Sequence, residues 1–215
     1  MKKAWLGMAA VLVAGCGSFR VGEELATNDR DYPQLNSAPR QVRLEGKLSA
    51  DLELKMRALY ETDNKEGCQY SPTRIAGGME GALYGLQLRV PLEVVRHGDS
   101  YSATFMPDRF QPGRCNWRPV RVEAYAYWPG KSDPEEELMW RRYRHLPVEV
   151  KPSRSEESWA ENSADTPAHI NCRRRSGESL GYDVPCLAQR ESHEKETHIL
   201  KPTDQRVVVN FTEQQ

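Results

Sequence analysis

The sequence predicts a mainly β protein: an antiparallel β-sandwich-like single domain with long irregular loops and one short helix. Hydrophobic residues recur at every second position in several stretches, which is the pattern of half-buried strands. No long helical pattern separates these stretches, and 15 glycines and 14 prolines punctuate the chain. We expect one domain, because all-β sandwiches often reach this length.

The longest alternating stretch covers residues 42–60. Its even positions are all apolar or glycine, and the odd positions from 43 to 57 are polar. A single strand of that length would extend about 60 Å, too far for a compact domain, so we expect a bend or bulge near Gly46 or Ser49. Residues 50–61 are also rich in helix formers, which leaves a helix as the alternative.

Three further regions have the pattern of strands. Residues 86–94 and 101–105 alternate on either side of Gly98, which predicts a β-hairpin with the glycine in its turn. Residues 118–128 alternate again, with aromatic residues on the second face that a loop or a partner could cover. The valine-rich stretch 206–211 predicts a buried last strand.

Two regions show no such pattern and are predicted to be irregular. Residues 68–83 are rich in glycine, and residues 129–167 form a polar, proline-punctuated loop region. Within the second region, Pro134 and the acidic residues after it suit the first turn of a short helix over 134–143.

The first 16 residues, MKKAWLGMAAVLVAGC, have the organisation of an export signal. Lys2 and Lys3 precede an apolar run too short to span a bilayer, which takes about 20 residues. Residues 13–16, Val-Ala-Gly-Cys, resemble the lipobox of bacterial lipoproteins. The resemblance implies cleavage before Cys16 and acylation of that cysteine with fatty acids such as palmitate. The alternative is an ordinary secretory signal with a cysteine nearby by chance.

This resemblance sets the expected organisation of the chain. Residues 1–15 are the lipoprotein signal peptide, residues 16–41 are the acylated Cys16 with a flexible polar tether, and residues 42–215 are the disulfide-bearing β domain. Gly17 and Ser18 follow the cysteine, and the lack of an aspartate there implies an outer-membrane anchor facing the periplasm. Several acyl chains would make that attachment effectively permanent.

The charge balance predicts no affinity for nucleic acid. The chain carries 30 Lys and Arg against 31 Asp and Glu, and loss of Lys2 and Lys3 with the signal makes it slightly more acidic. The expected partners are membrane lipid, through acylated Cys16, and a protein.

The four cysteines other than Cys16 predict disulfides. Four cysteines allow three pairings, and pairing between sequence neighbours gives Cys68 with Cys115 and Cys172 with Cys186. Zinc is the rival interpretation, but no C-x-x-C spacing is present. We therefore expect no metal site and no cofactor.

Two motifs suggest catalysis, and both are weak. Residues 177–181, Gly-Glu-Ser-Leu-Gly, match the nucleophile motif G-x-S-x-G, but Ser179 lacks the preceding buried strand and the following helix that the motif requires. His193 and His198 are five residues apart, whereas a helical zinc pair needs four. We favour a turn for Ser179 and a solvated charged segment for the histidines, and we assign no catalytic residue.

Basic clusters are the remaining candidates for recognition. Arg173, Arg174 and Arg175, with Tyr182, lie in the segment that the Cys172–Cys186 disulfide would close, and they are the predicted partner-binding residues. Arg141, Arg142 and Arg144 form a second basic cluster. For both clusters, the alternative is a solvated surface balanced by nearby glutamates.

These observations favour a lipid-anchored, periplasm-facing, non-enzymatic protein-binding module. The lipobox, tether, small β domain and lack of a clear catalytic motif are similar to lipoproteins that act as immunity proteins against toxic secretion-system effectors, including phospholipases. A structural or assembly lipoprotein of the cell envelope is the alternative, and a serine esterase using Ser179 is the least favoured.

Overall fold

The computed structural model describes residues 33–63, 66–70, 84–129, 145–150, 167–173 and 197–214. Within these residues the chain forms strands only. They are β1 Val42–Lys47, β2 Glu53–Glu61, β3 Gln69–Tyr70, β4 Tyr84–Gly85, β5 Gln87–Leu92, β6 Val94–His97, β7 Ser100–Phe105, β8 Arg118–Tyr127, β9 His145–Glu149, β10 Ala168–Arg173, β11 His198–Ile199 and β12 Arg206–Gln214. The predicted helix at 134–143 lies outside the described residues.

The strands form two five-stranded sheets and a small two-stranded ribbon, β3–β4. We call the sheet with order β10-β12-β1-β7-β6 the first sheet and the sheet with order β11-β9-β8-β2-β5 the second sheet. Their apolar faces share one buried core, in which the Phe211 ring of the first sheet lies 6.3 Å from the His145 ring of the second. The predicted mainly β, sandwich-like fold is confirmed.

The strand pairing is mixed rather than wholly antiparallel. The last described strand, β12, lies between β1 and β10 and runs parallel to both, and β11 runs parallel to β9. The other pairs in the two large sheets, such as β2 with β8, are antiparallel. Alternation along a strand reports which side faces the core, but it carries no information on the direction of the neighbouring strand.

The alternating stretch 42–60 divides between the two sheets. Its first part is β1 and its second part is β2, and the chain crosses the sandwich between them at residues 48–52. The β1–β12 ladder is interrupted at Gly46, where a Cβ would lie 1.9 Å from the Val209 carbonyl oxygen. The side-chain oxygen of Asn210 accepts the Lys47 amide there at 2.8 Å. The bend predicted near Gly46 or Ser49 is a complete change of sheet, made at residues 48–52.

The predicted hairpin forms, but its first strand also changes sheets. β6 and β7 pair around Gly98, whose φ of 64° and first position in the two-residue turn are those of a type II′ turn. Residues 87–92 form β5 in the second sheet instead of extending β6, and the chain passes to the first sheet at Glu93.

Several short strands occupy regions that the sequence predicted to be irregular. β9 lies within the predicted polar loop region 129–167, and β3 lies within the glycine-rich region 68–83. Arg173, predicted to project from a loop, is the last residue of β10 and pairs in register with Gln214. These strands have at most six residues, too few to show a clear period.

Candidate binding groove

The segment before β1 lies against the domain. We expected a flexible tether as far as residue 41, but the backbone of residues 33–41 bonds to the segment that follows β7. The amide of Asn36 donates to the Arg109 carbonyl, and the amide of Gln111 donates to the Gln34 carbonyl, each at 2.8 Å. This docking makes residues 40–43 one wall of a groove.

Arg40 fixes the position of that wall. Its amide donates to the Asp108 carboxylate at 2.7 Å, and its guanidinium Nη1 donates to the Asp204 carbonyl at 2.6 Å. One arginine therefore connects the segment before β1 to two separate loops of the first sheet.

The groove has a volume of about 1110 Å³ and opens beside the first sheet. Among the described residues, its lining comes from four segments, 40–43, 91–95, 102–109 and 202–205. It exists because β6 begins only at Val94, paired with Ala103, and the chain before it comes from the second sheet, whereas β7 continues to Phe105.

The groove is lined by more positive than negative side chains. Arg40, Arg43 and Arg109 line it, and Glu93 is the acidic residue among the lining residues. Arg43 lies 2.6 Å from Glu45, but that carboxylate also lies 2.5 Å from Arg206, so two cations share one anion. The lining is therefore suited to a ligand with negative charge.

Arg109 is held by nonpolar and dipolar neighbours. Its guanidinium lies 5.8 Å from the centre of the Phe110 ring, and its buried Nε has no hydrogen-bond partner among the described residues. The Tyr60 hydroxyl donates to the Met106 carbonyl at 2.6 Å, and burial raises the pKa of that phenol although the Arg109 charge opposes the rise. The phenol is thus a neutral donor at neutral pH.

The loop at 202–205 is anchored by a buried histidine and aspartate. Nε2 of His198 lies 2.9 Å from the Asp204 carboxylate, which also accepts the Lys201 amide at 2.8 Å. Burial raises the pKa of Asp204, but these hydrogen bonds and the nearby positive charges outweigh it and lower the pKa overall. The interpretation of residues 193–198 as a solvated segment is wrong for His198, which is 2% exposed.

A second charged cluster is buried on the second sheet. The fully buried Glu123 carboxylate accepts Nε of Arg57 at 2.7 Å and Nη2 of Arg121 at 2.9 Å, and Nε of Arg89 lies 3.8 Å away. The Glu123 carboxylate is therefore the centre of a buried cluster of guanidinium groups, and these contacts offset the cost of burying its charge. Nearby, desolvation raises the pKa of Glu149, although Arg121 opposes the rise.

The structure contains the predicted Cys68–Cys115 disulfide. The bond joins residues 47 apart and connects the short ribbon to the loop before β8. Cys172 is also disulfide-bonded. Cys186, its predicted partner, lies outside the described residues.

Most of the sequence-predicted functional residues also lie outside the described residues. They are Cys16, Arg174, Arg175, Ser179, Tyr182 and His193, together with the second basic cluster Arg141, Arg142 and Arg144. The groove was missed because its arginines are separated by up to 69 positions and form no run.

Comparison with protein-family models, curated proteins and solved structures finds no match for this chain. In the part of the chain that the structure describes, no helix is long and apolar enough to cross a bilayer. The same residues contain no group of three or more His, Cys, Asp or Glu arranged to hold a metal ion.

Proposed function

We propose that this protein is a lipid-anchored, non-enzymatic module that binds another protein at the periplasmic face of the outer membrane. The observation that carries the binding role is the groove beside β7, whose lining among the described residues includes Arg40, Arg43 and Arg109 and one carboxylate, that of Glu93. The lipobox-like residues 13–16 support the anchor, and the Cys68–Cys115 disulfide suits an oxidising compartment.

The role we favour for this binding is immunity against a toxic effector, including effectors of the phospholipase type. Blocking an enzyme requires a complementary surface and no catalytic group of its own. An anchor at the membrane would also place the inhibitor where an enzyme that attacks phospholipids reaches its substrate. This role rests on the resemblance in overall organisation described above.

Metabolic labelling tests the anchor. In cells fed an alkyne analogue of palmitate, the wild-type chain should be labelled, whereas Cys16→Ser should lose the label and accumulate as uncut precursor. Ser179→Ala is the matched control and should be labelled normally. Persistent label on the Cys16→Ser variant would overturn the anchor.

Site-specific crosslinking tests the binding role. A photo-reactive amino acid at Val95 or Thr104, which both line the groove, should give a discrete protein adduct in intact cells. The same probe at Asp51, exposed in the β1–β2 connection, is the control and should give none. Equal adducts at all three positions, or no protein adduct at the groove, would contradict the proposal. A neutralised toxin should be identifiable in the adduct by mass spectrometry.

A further inference from the structure

The strand β6 ends the first sheet, and its outer edge carries unpaired backbone groups. It pairs with β7 on one side only. The two-residue turn makes His97 and Ser100 the hydrogen-bonded pair that closes the hairpin, and hydrogen-bonded pairs alternate along the ladder from there. Val94 and Arg96 belong to the pairs in between, so their N–H and C=O groups point away from β7. None of the described residues bonds to these backbone groups.

Solvent reaches this edge of the sheet. The side chains of Glu93, Val95, Arg96 and His97 are all exposed, and Val95 is 43% exposed although it is apolar. The strand β5, which ends the second sheet just before β6 in the chain, instead carries Pro91. Proline has no N–H group and is one of the devices that protect an edge strand from pairing. The strand β6 has no proline, so its edge can pair with another strand.

The sequence Glu-Val-Val-Arg-His, from Glu93 to His97, is complementary to itself when two copies run antiparallel. If Val94 lies opposite Arg96 of the second copy, the two residues exchange both of their backbone hydrogen bonds. Val95 then lies opposite Val95 of the second copy, on a twofold axis, and Glu93 lies opposite His97. These three side chains share the outer face of the first sheet, because alternate residues of a strand point to one face. An apolar side chain therefore meets its equivalent, and a carboxylate meets an imidazole on either side of it.

The other registers that use the same backbone groups fit less well. A shift by two residues places either Glu93 or His97 opposite Val95, so the apolar pair and the two polar pairs are lost. Arg96 does not oppose the approach of a second copy, because its guanidinium donates to carbonyl oxygens of the β1–β2 connection within its own copy. The register centred on Val95 is therefore the favoured one.

We propose that a second copy of this chain pairs with β6 edge to edge, antiparallel and centred on Val95, so that the first sheets of the two copies form one continuous sheet. Both copies contribute the same residues, as in other twofold interfaces. The edge is short, and interfaces well below about 1,000 Å² are weak, so we expect a dimer that dissociates on dilution. This inference depends neither on the lipid anchor nor on the ligand of the groove.

Cysteine substitution tests the pairing and its centre. Opposite residues of a non-hydrogen-bonded pair have Cα atoms about 4.5 Å apart, within the range that a disulfide spans. The full chain carrying Val95→Cys, purified in a non-ionic detergent and treated with a mild oxidant, should form a disulfide-linked dimer on a non-reducing gel. Thr104→Cys is the matched control, because Thr104 is exposed in β7 and not at the edge, and it should remain monomeric.

A mixture of two single variants tests the register. Glu93→Cys and His97→Cys chains, differently tagged and mixed before oxidation, should give the mixed dimer in preference to either dimer of identical chains. The reason is that residue 93 of one copy lies opposite residue 97 of the other only in an antiparallel pair centred on Val95. Equal amounts of the three dimers would overturn this register.

Charged substitutions test the association without any crosslink. Val95→Lys places two lysines opposite each other across the axis, so it should weaken dimer formation at least about tenfold in sedimentation equilibrium. Thr104→Lys is the matched control and should associate like wild type. Because both side chains are exposed, neither substitution should change the midpoint of urea unfolding by much.

A charge exchange provides a rescue. Glu93→Lys alone should weaken the dimer about two- to fivefold, the range typical of an exposed ion pair. The double variant Glu93→Lys/His97→Glu again has opposite charges facing each other and should recover the association.

The outcomes distinguish this inference from the proposed function. A wild-type chain that stays monomeric at every concentration, or equal crosslinking of Val95→Cys and Thr104→Cys, would show that the edge pairing is wrong. In the photo-crosslinking experiment, an adduct of two copies of this chain at Val95 supports the dimer, whereas an adduct with a different protein at Thr104 supports the binding role of the groove. Either adduct can form without the other.

Discussion

Each of the two sheets has, on its outer face, a carboxylate paired with two arginines, but one cluster is exposed to solvent and the other is buried. On the first sheet, Glu45 is shared by Arg43 and Arg206, whose side chains are 66% and 64% exposed. On the second sheet, Glu123 is shared by Arg57 and Arg121, and the carboxylate has no exposed surface. Each cluster places one carboxylate between guanidinium groups, so burial is what distinguishes them.

This difference shows that the contribution of an ion-pair cluster to the free energy of unfolding depends on its burial. An exposed ion pair contributes about 0–1 kcal/mol, because water and salt screen it. A buried carboxylate depends on its partners, and removing one side of such a cluster leaves charges that water cannot solvate. The first cluster therefore remains available to a ligand, whereas the second is part of the framework.

The largest expected effect comes from removing the buried carboxylate. Glu123→Gln should lower the free energy of unfolding by about 3 kcal/mol, because the arginines around it lose their central anion. Glu45→Gln, the matched change on the exposed cluster, should lower it by less than about 1 kcal/mol. Urea unfolding of both variants, followed by tryptophan fluorescence, measures the difference. Equal losses would mean that burial does not distinguish the clusters.

A smaller effect is expected where the chain passes between the sheets. The Arg96 guanidinium donates to the carbonyl oxygens of Leu52, Ser49 and Ala50, which close the β1–β2 connection, and its Nε donates to Gly98. Arg96→Ala leaves these carbonyls to water and should cost about 2 kcal/mol in urea unfolding.

Arg118→Ala is the control for that substitution, because Arg118 pairs only with partly exposed carboxylates. We expect it to cost less than about 0.5 kcal/mol. A loss of stability from Arg118→Ala as large as that from Arg96→Ala would show that the hydrogen bonds of Arg96 to the β1–β2 connection contribute no more than exposed ion pairs.

The smallest expected effects are on the pH dependence of stability, to which Asp204 and Glu149 should contribute in opposite directions. The pKa of Asp204 is lower in the folded protein than the ordinary aspartate pKa of 3.8, so the ionised carboxylate stabilises the fold at any pH above 3.8. This stabilisation is lost as the pH falls through the folded-state pKa. Asp204→Asn should therefore destabilise the protein by about 1 kcal/mol at pH 7 and less in acid.

Glu149, on the second sheet, should behave in the opposite way. Its pKa is raised from 4.5 by desolvation, so the ionised form opposes folding above the folded-state pKa, and the penalty vanishes as the pH falls below 4.5. Glu149→Gln should stabilise the protein slightly at pH 7 and have no effect in acid. Thermal unfolding from pH 3 to pH 8 measures both variants, and the same sign for the two would contradict the assignment.

The alternating pattern predicted much of the fold. Residues 42–47, 53–61, 100–105 and 118–127 form strands because one side of each faces the shared core, and a period of two identifies that side directly. The strands β10 and β11 were missed because two to six residues in charged surroundings show no period. The direction of β12 was also missed, since it depends on partners far away in sequence.

The candidate groove was less predictable than the fold. It depends on where β6 stops pairing with β7 and on the docking of residues 33–41, and both are tertiary events. The arginine run at 173–175 was conspicuous in the sequence, whereas Arg43 and Arg109 come together only through folding. The burial of Glu123 was similarly hidden, because residues 118–128 alternate correctly and alternation does not show whether the second face is covered.

The central position of β12 also sets a constraint on the kinetics of folding. The Lys47 amide and the Asn210 side chain that accepts it are 163 residues apart, and β12 separates β1 from β10. Contacts of such high sequence separation slow folding, because the loop between them must close before they form. The first sheet therefore cannot be completed while β12 is still inside a ribosome or a translocation channel. For a chain that must cross a membrane unfolded, this late closure would itself favour export.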